Sequence, residues 1–103
     1  MASEDFYCEY ILNNRVEFSK VKETNNLLAY YHTKPRYKTH IVIIPKEHIT
    51  ALAEVKDFGI FKEIFEMIGQ ITTELNLVDY KIINNNGKYQ DSKHLHFHLV
   101  SDN

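Results

Sequence analysis

The densest chemistry in this sequence lies in "KHLHFHLVSDN", residues 93–103, where His94, His96 and His98 stand one residue apart with apolar side chains between and after them. They are three of six histidines in 103 residues. The unperturbed imidazole pKa of roughly 6.5 lets a neutral nucleophile, a general base and a cationic anion-binder coexist near pH 7. In a strand, alternate side chains share a face, so the three histidines form a polar row while Leu95, Phe97 and Leu99 cover a core on the other side.

Three uses of such a row compete. The blandest is a set of surface histidines with no chemistry. A metal site is the second, but positions four apart on an extended strand are separated by about 13 Å, against Zn–N bonds of ~2.0–2.1 Å. One ion therefore cannot take all three without severe bending; two of them with a distant carboxylate or His40 is the version that geometry permits. The third is attack on a phosphate, in which one imidazole is the nucleophile and its neighbours hydrogen-bond the charged oxygens and the leaving group. The row fits this use best.

Elements must hold that row in place. "RVEFSKV" (15–21) and "NLLAYYH" (26–32) read as strands, and "KPRYK" (34–38) as a loop, because Pro35 lacks a donor and biases its predecessor away from helix. "THIVIIP" (39–45) carries a β-branched apolar run suited to a central strand buried on both faces, ended by Pro45. From Asp57, a candidate N-cap, Phe58, Phe61, Phe65, Ile68, Thr72 and Leu75 recur at steps of three and four and predict one long helix. "DYKII" (79–83) is a strand, "NNNGKYQDSK" a polar loop turning at Asn86-Gly87, and "HLHFHLV" (94–100) a final strand. The pattern predicts an α+β fold: an antiparallel meander sheet of about five strands with one long helix packed across it.

At this length one domain spanning 1–103 is expected, with a modest core. The net charge is −2 and the pI about 6.3, with Lys and Arg scattered, so the footprint of a nucleic-acid polymer binder is missing. No stretch approaches the ~20 apolar residues of a membrane span, and no basic-then-apolar leader opens the chain, so a cytoplasmic protein is expected. Cys8, the single cysteine, cannot form an internal disulfide or a multi-cysteine zinc site, and reads as a small buried apolar residue.

With the His-apolar-His-apolar-His-apolar-apolar pattern of "HLHFHLV" read, the chain resembles the histidine triad (HIT) family of nucleotide hydrolases and transferases. "THIVIIPKEHI" (39–49) resembles the family strand that carries a fourth active-site histidine, here His40. Gln90 stands four residues ahead of the triad, Asn85-Asn86-Gly87 resembles the Asn-x-Gly turn of a phosphate loop, and "FYCEYI" (6–11) resembles the family's opening segment. The resemblance covers nearly the whole chain.

The resemblance implies a covalent mechanism in which His96 attacks the α-phosphorus of a purine nucleotide and holds a nucleotidyl adduct until an acceptor takes it. It places His98 and His40 on the phosphate and has His94 orient the nucleophile. It also puts the nucleoside against Tyr7, Tyr10, Tyr30 and Ile41, with Gln90, Asn85, Gly87, Asp91 and Ser92 around the phosphate loop. It implies a homodimer, with no metal and no cofactor in the reaction. The chain departs from the pattern in several places. His32 occupies the position, three before the loop proline, of the acidic or amide residue that grips the ribose. Asp91 replaces a Ser or Thr donor, Ser92 an apolar residue, and the loop from Asn85 to Gln90 is shorter than usual. Cys8 lacks the partner cysteine that some members use for zinc, with Asp5 in its place. These departures motivate the alternative of a nucleotide-binding module with weak or no turnover; a histidine-based metal-binding protein comes third.

Overall fold

The computed structural model describes residues 7–102. Its centre is β3 (Thr39–Pro45), whose apolar run is buried on both faces as the composition predicts. Beside it lies β2 (Leu27–Tyr31), antiparallel and in register from Leu27 opposite Pro45 to Tyr31 opposite Ile41. β1 (Lys20–Glu23) pairs with β2 and contains a register shift between Lys20 and Lys22. The strand expected over 15–21 thus starts later. Its Phe18 leaves the ladder to pack edge-on against Tyr30, with ring centroids 5.2 Å apart.

β4 (Lys81–Ile83) and β5 (Phe97–Ser101) complete the sheet in the order β1-β2-β3-β5-β4, every neighbour antiparallel. The α+β class with five antiparallel strands and one long helix is as the sequence predicts, but β5 enters between β3 and β4, so the sheet is not a simple meander. The return of β5 between β3 and β4 sets His98 beside Val42 on one side and Ile83 on the other. Regular pairing starts only at Phe97, so His94 and His96 sit on the irregular segment leading into β5 rather than on a strand from 94 to 100.

The helix α1 (Gly59–Glu74) begins where Asp57 Oδ1 accepts the Gly59 N–H at 2.9 Å, a short-range cap that satisfies one terminal donor. It ends where Asn76, at φ 55°, takes the left-handed conformation and the Leu77 N–H returns to the Thr72 carbonyl. The buried stripe is Ile64, Met67, Ile68, Ile71 and Thr72. The expected stripe through Phe58, Phe65 and Leu75 is therefore corrected. Phe58 precedes the helix and is 72 % exposed, and Phe65 is 53 % exposed and meets Phe97 edge-on. Branched aliphatic side chains at 64, 68 and 71 fit the shallow pleated surface more closely than large rings do.

Two apolar layers result. Under α1, Leu27, Ala29, Ile41, Ile43, Leu95, Phe97 and Leu99 join the helix stripe in one cluster. On the opposite face Leu28, Tyr30, Val42 and Ile44 are covered by a π-helical turn, Tyr7–Ile11, through Tyr7 and Ile11. Alternation along β3 and β5 sends His40 and His98 to this second face, where their rings meet.

Candidate active site

His96 is 3 % exposed, and its Nδ1 lies 2.8 Å from the carbonyl oxygen of His94. A carbonyl only accepts, so Nδ1 carries the hydrogen and Nε2 keeps a bare lone pair. That is the tautomer a nucleophile needs. Asn84 Nδ2 donates to the His96 carbonyl at 2.9 Å and Asn86 Nδ2 donates to Asn84 Oδ1, so the His96 peptide is braced from β4 and its loop. Asn84 escaped the sequence reading; within three successive asparagines, nothing but strand alternation separates it from its neighbours.

His98 lies next to it, with ring centroids 5.0 Å apart and planes nearly perpendicular. Its Nδ1 is 2.9 Å from His40 Nε2, and His40 Nδ1 accepts the Arg36 N–H at 3.2 Å. Since His40 Nδ1 accepts, Nε2 holds the hydrogen and donates to His98 Nδ1. His98 must then carry its hydrogen on Nε2. The result is a directed chain from the Arg36 amide through His40 to a His98 Nε2–H donor, on a ring whose centroid lies 5.0 Å from that of His96. Burial, reinforced by neighbouring His32 and Arg36, holds His40 down to about 4, and burial with His96, His40 and His32 nearby holds His98 at about 3. His96 and His32 are also pushed below the ordinary histidine value, in each case chiefly by burial. His40 and His98 are therefore neutral at pH 7.

A cleft of about 340 Å³ opens beside His98 and His40 and is also lined by Asn85, Asp91 and His32. Lys34, Arg36 and Tyr37 of the β2–β3 loop line it too, residues that nothing in the sequence marks as more than loop. Tyr7 also packs on His96, its ring centroid 5.0 Å from that of His96 and 5.8 Å from that of His94. Tyr10, on the same turn, is half-buried.

Other expected site residues sit elsewhere. Ile41 points to the helix side of the sheet, because it alternates with His40, and is buried in the cluster under α1. Tyr30 is core, 2 % exposed against Phe18, and burial drives its phenol strongly upward so that it stays protonated. Gln90 braces the loop rather than facing the cleft: Nε2 donates to the Thr50 and Ser92 carbonyls, and Oε1 accepts the Gly87 N–H. Gly87 turns the loop at φ 64°, a conformation that glycine adopts without strain. Ser92 is buried beneath it.

His94 parts company with the other two. It is fully buried, its Nε2–H donates to the Pro45 carbonyl at 2.8 Å, and its Nδ1 lies 3.3 Å from Cys8 Sγ. Cys8 Sγ is also 3.8 Å from His48 Nδ1. Bonds of ~2.3 Å to sulfur and ~2.0–2.1 Å to nitrogen at a tetrahedral angle set S···N near ~3.6 Å, so Cys8, His48 and His94 fit three ligands of a structural zinc. Such an ion would tie the N-terminal turn to the triad and stand outside the chemistry at His96. Cys8 is thus no simple apolar core residue, and Asp5 and Phe6 lie outside the described residues. His32, His40 and His98 also approach one another, but the Nε2–H of His40 already points at His98, which makes that group a hydrogen-bond chain.

The family model for the HIT domain matches residues 13–103. An adenosine 5′-monophosphoramidase of Schizosaccharomyces pombe is 29% identical over 96 residues, 91% of this chain and 71% of that protein. An HIT-like protein of Helicobacter pylori is 32% identical over 102 residues, 90% of this chain and 92% of that protein. Among solved structures, a histidine triad protein from Clostridium difficile superposes with a TM-score of 0.86 at 29% identity, covering 97% of this chain and 91% of that one.

Proposed function

Because the chain belongs to the HIT domain family, we propose that it is a nucleotide hydrolase or nucleotidyl transferase. It cleaves the α-phosphate bond of a purine nucleoside monophosphate ester, amide or anhydride, as in a nucleoside phosphoramidate or a dinucleoside polyphosphate. The observation that carries this reading is the His96 Nδ1–H···O=C bond to His94, which leaves Nε2 bare, with the His98 ring, an Nε2–H donor, 5.0 Å away between centroids. His96 Nε2 attacks the α-phosphorus, an N–P bond forms, and the bond to the leaving group breaks with its electron pair, which takes up a proton from solvent. The His98 donor meets the charge that builds on a non-bridging oxygen, with His40 holding its tautomer. Water then breaks the N–P bond, which frees the monophosphate and restores His96. Tyr7 supports a wall for the nucleoside, and the ribose lies against His32.

We also read the chain as a homodimer. Val78, Tyr80 and Ile82, at and before the β4 edge, expose apolar surface of a kind that a second copy would bury. Light scattering reporting twice 12.2 kDa supports this; a monomer sinks it.

The reaction itself is tested by quenching wild-type protein in base during turnover of adenosine 5′-phosphoramidate. An alkali-stable, acid-labile nucleotidyl group on residue 96 is expected. An adduct on His94 or His98, or nucleotide binding with no turnover of the phosphoramidate or of a dinucleoside polyphosphate, refutes the mechanism, and the second result identifies a binding module.

A further inference from the structure

We propose that the outer part of the cleft is a subsite for a second phosphoryl group, borne on the substrate ribose at its 2′ or 3′ oxygen and held by His32, Lys34 and Arg36. The proposal rests on the nucleotide reading above and names a substrate class within it.

The argument starts at His32. Its Nδ1 accepts the Lys34 N–H at 2.9 Å, so in the neutral ring the hydrogen sits on Nε2. The ring also packs against His40, centroids 4.4 Å apart and planes tilted by 31°. A ribose hydroxyl both donates and accepts, so it can take an N–H, but a free diol is gripped best where an acceptor also meets its O–H groups. His32 has no acceptor left to offer. Its one N–H makes a stronger bond to an anionic phosphoryl oxygen than to a hydroxyl.

The same loop supplies charge of the matching sign. Lys34 and Arg36 line the cleft with His32, and among the described residues neither is in an ion pair. Their backbones are pinned where they are needed: the Lys34 amide to His32, the Arg36 amide to His40, and the His32 amide to the His40 carbonyl at 2.8 Å. Asp91 is the opposing carboxylate in this cleft. It influences His32 and His96, whereas Arg36 influences His32 and His40. The cleft thus carries two cations, Lys34 and Arg36, against one carboxylate, Asp91. A dianion on the ribose is favoured on the side of the two cations. Two cations and a directed N–H facing one phosphoryl group make charge-assisted bonds, an advantage of about tenfold to a hundredfold in affinity over the unphosphorylated ribose.

Calorimetric binding of AMP, adenosine 3′,5′-bisphosphate, adenosine 2′,5′-bisphosphate and ADP to the intact protein tests this. One of the two ribose bisphosphates should bind at least tenfold tighter than AMP, with an advantage that shrinks on raising salt and collapses toward unity in Arg36→Ala and Lys34→Ala. His32→Asp should invert the order, since a carboxylate accepts from a diol and repels a phosphate. Equal affinity for AMP and both bisphosphates overturns the proposal and leaves the nucleotide reading standing. If ADP shares the gain, with the same dependence on Arg36, the second anion belongs to the 5′ chain and the ribose assignment is wrong. Failure of every nucleotide to bind removes both readings.

Discussion

Replacing His94 with alanine should damage the fold far more than the chemistry, the opposite of replacing His96. Truncation at 94 strips the Pro45 carbonyl of its 2.8 Å donor in a fully buried place. An orphaned buried acceptor costs about 1–3 kcal/mol. The void left by an imidazole, on the order of 60 Å³ at about 24 cal/mol per Å³, adds roughly 1.5 kcal/mol. A total near ~3 kcal/mol is a large share of the ~5–15 kcal/mol of a small domain. His96→Asn, by contrast, keeps a side-chain N–H where Nδ1–H stood, so the bond to the His94 carbonyl survives and stability falls by only about 1 kcal/mol. Urea unfolding of both variants in chelator, followed by far-UV circular dichroism, measures the difference. Turnover is then read on protein shown to be folded, where His94→Ala keeps measurable residual activity and His96→Asn binds nucleoside monophosphate without turning over substrate. If His94→Ala unfolds at the wild-type urea concentration, the assignment of His94 to structure is wrong.

Acid should act on the remaining histidines in a set direction. His40 and His98 are held at about 4 and about 3 in the fold, below their unfolded value of roughly 6.5, so between those limits the unfolded chain binds protons that the native chain does not. Stability is then complete above pH ~6.5 and declines as the pH falls toward 4, and the urea midpoint at pH 5 should lie below that at pH 7. Because burial also lowers His96, the acid limb of kcat/KM should lie below the ordinary histidine value of roughly 6.5; a limb at or above 6.5 would contradict that shift. Gln90→Ala strips partners from the Thr50 and Ser92 carbonyls and the Gly87 amide, and should lower stability by about 2–3 kcal/mol in a urea titration. Wild-type stability in that variant would show that solvent can replace the brace.

Strand periodicity made β3 and the facing of His98 legible before any coordinates, because an apolar β-branched run and strict alternation leave few other arrangements. The helix was legible in length but not in rotation. Phe58 and Phe65 fit the three-four spacing as well as Ile64 and Ile71 do, and only the surface they pack on decides between them. The division of the triad was hidden for a related reason. Three histidines alternating in sequence look equivalent, and their separation depends on what approaches from distant segments: Cys8 and Pro45 at His94, His40 at His98. Ile41 was misjudged by one step of alternation, which moves a side chain from one layer of the protein to the other. Gln90, Asn84 and the tautomer of His32 depend on backbone partners in loops, which composition does not specify.

The place of β5 in the sheet has a consequence for how the protein acquires its activity. β4 pairs with β5 alone, although it precedes it in the chain, so β4 has no ladder to join until β5 has found β3. Pairing Thr39 with Ser101 closes a long stretch of chain, the kind of non-local contact that slows folding. A chain with only β1, β2 and β3 paired would hold His40 and His32 but not His96 or His98 in place. A slip of one residue as β5 docks would present Phe97 and Leu99 to the cleft and drive histidines into the layer beneath α1. Correct register is thus checked by the burial of Leu95, Phe97 and Leu99 at the moment the site forms. A chain that has not completed its core has no active surface to expose.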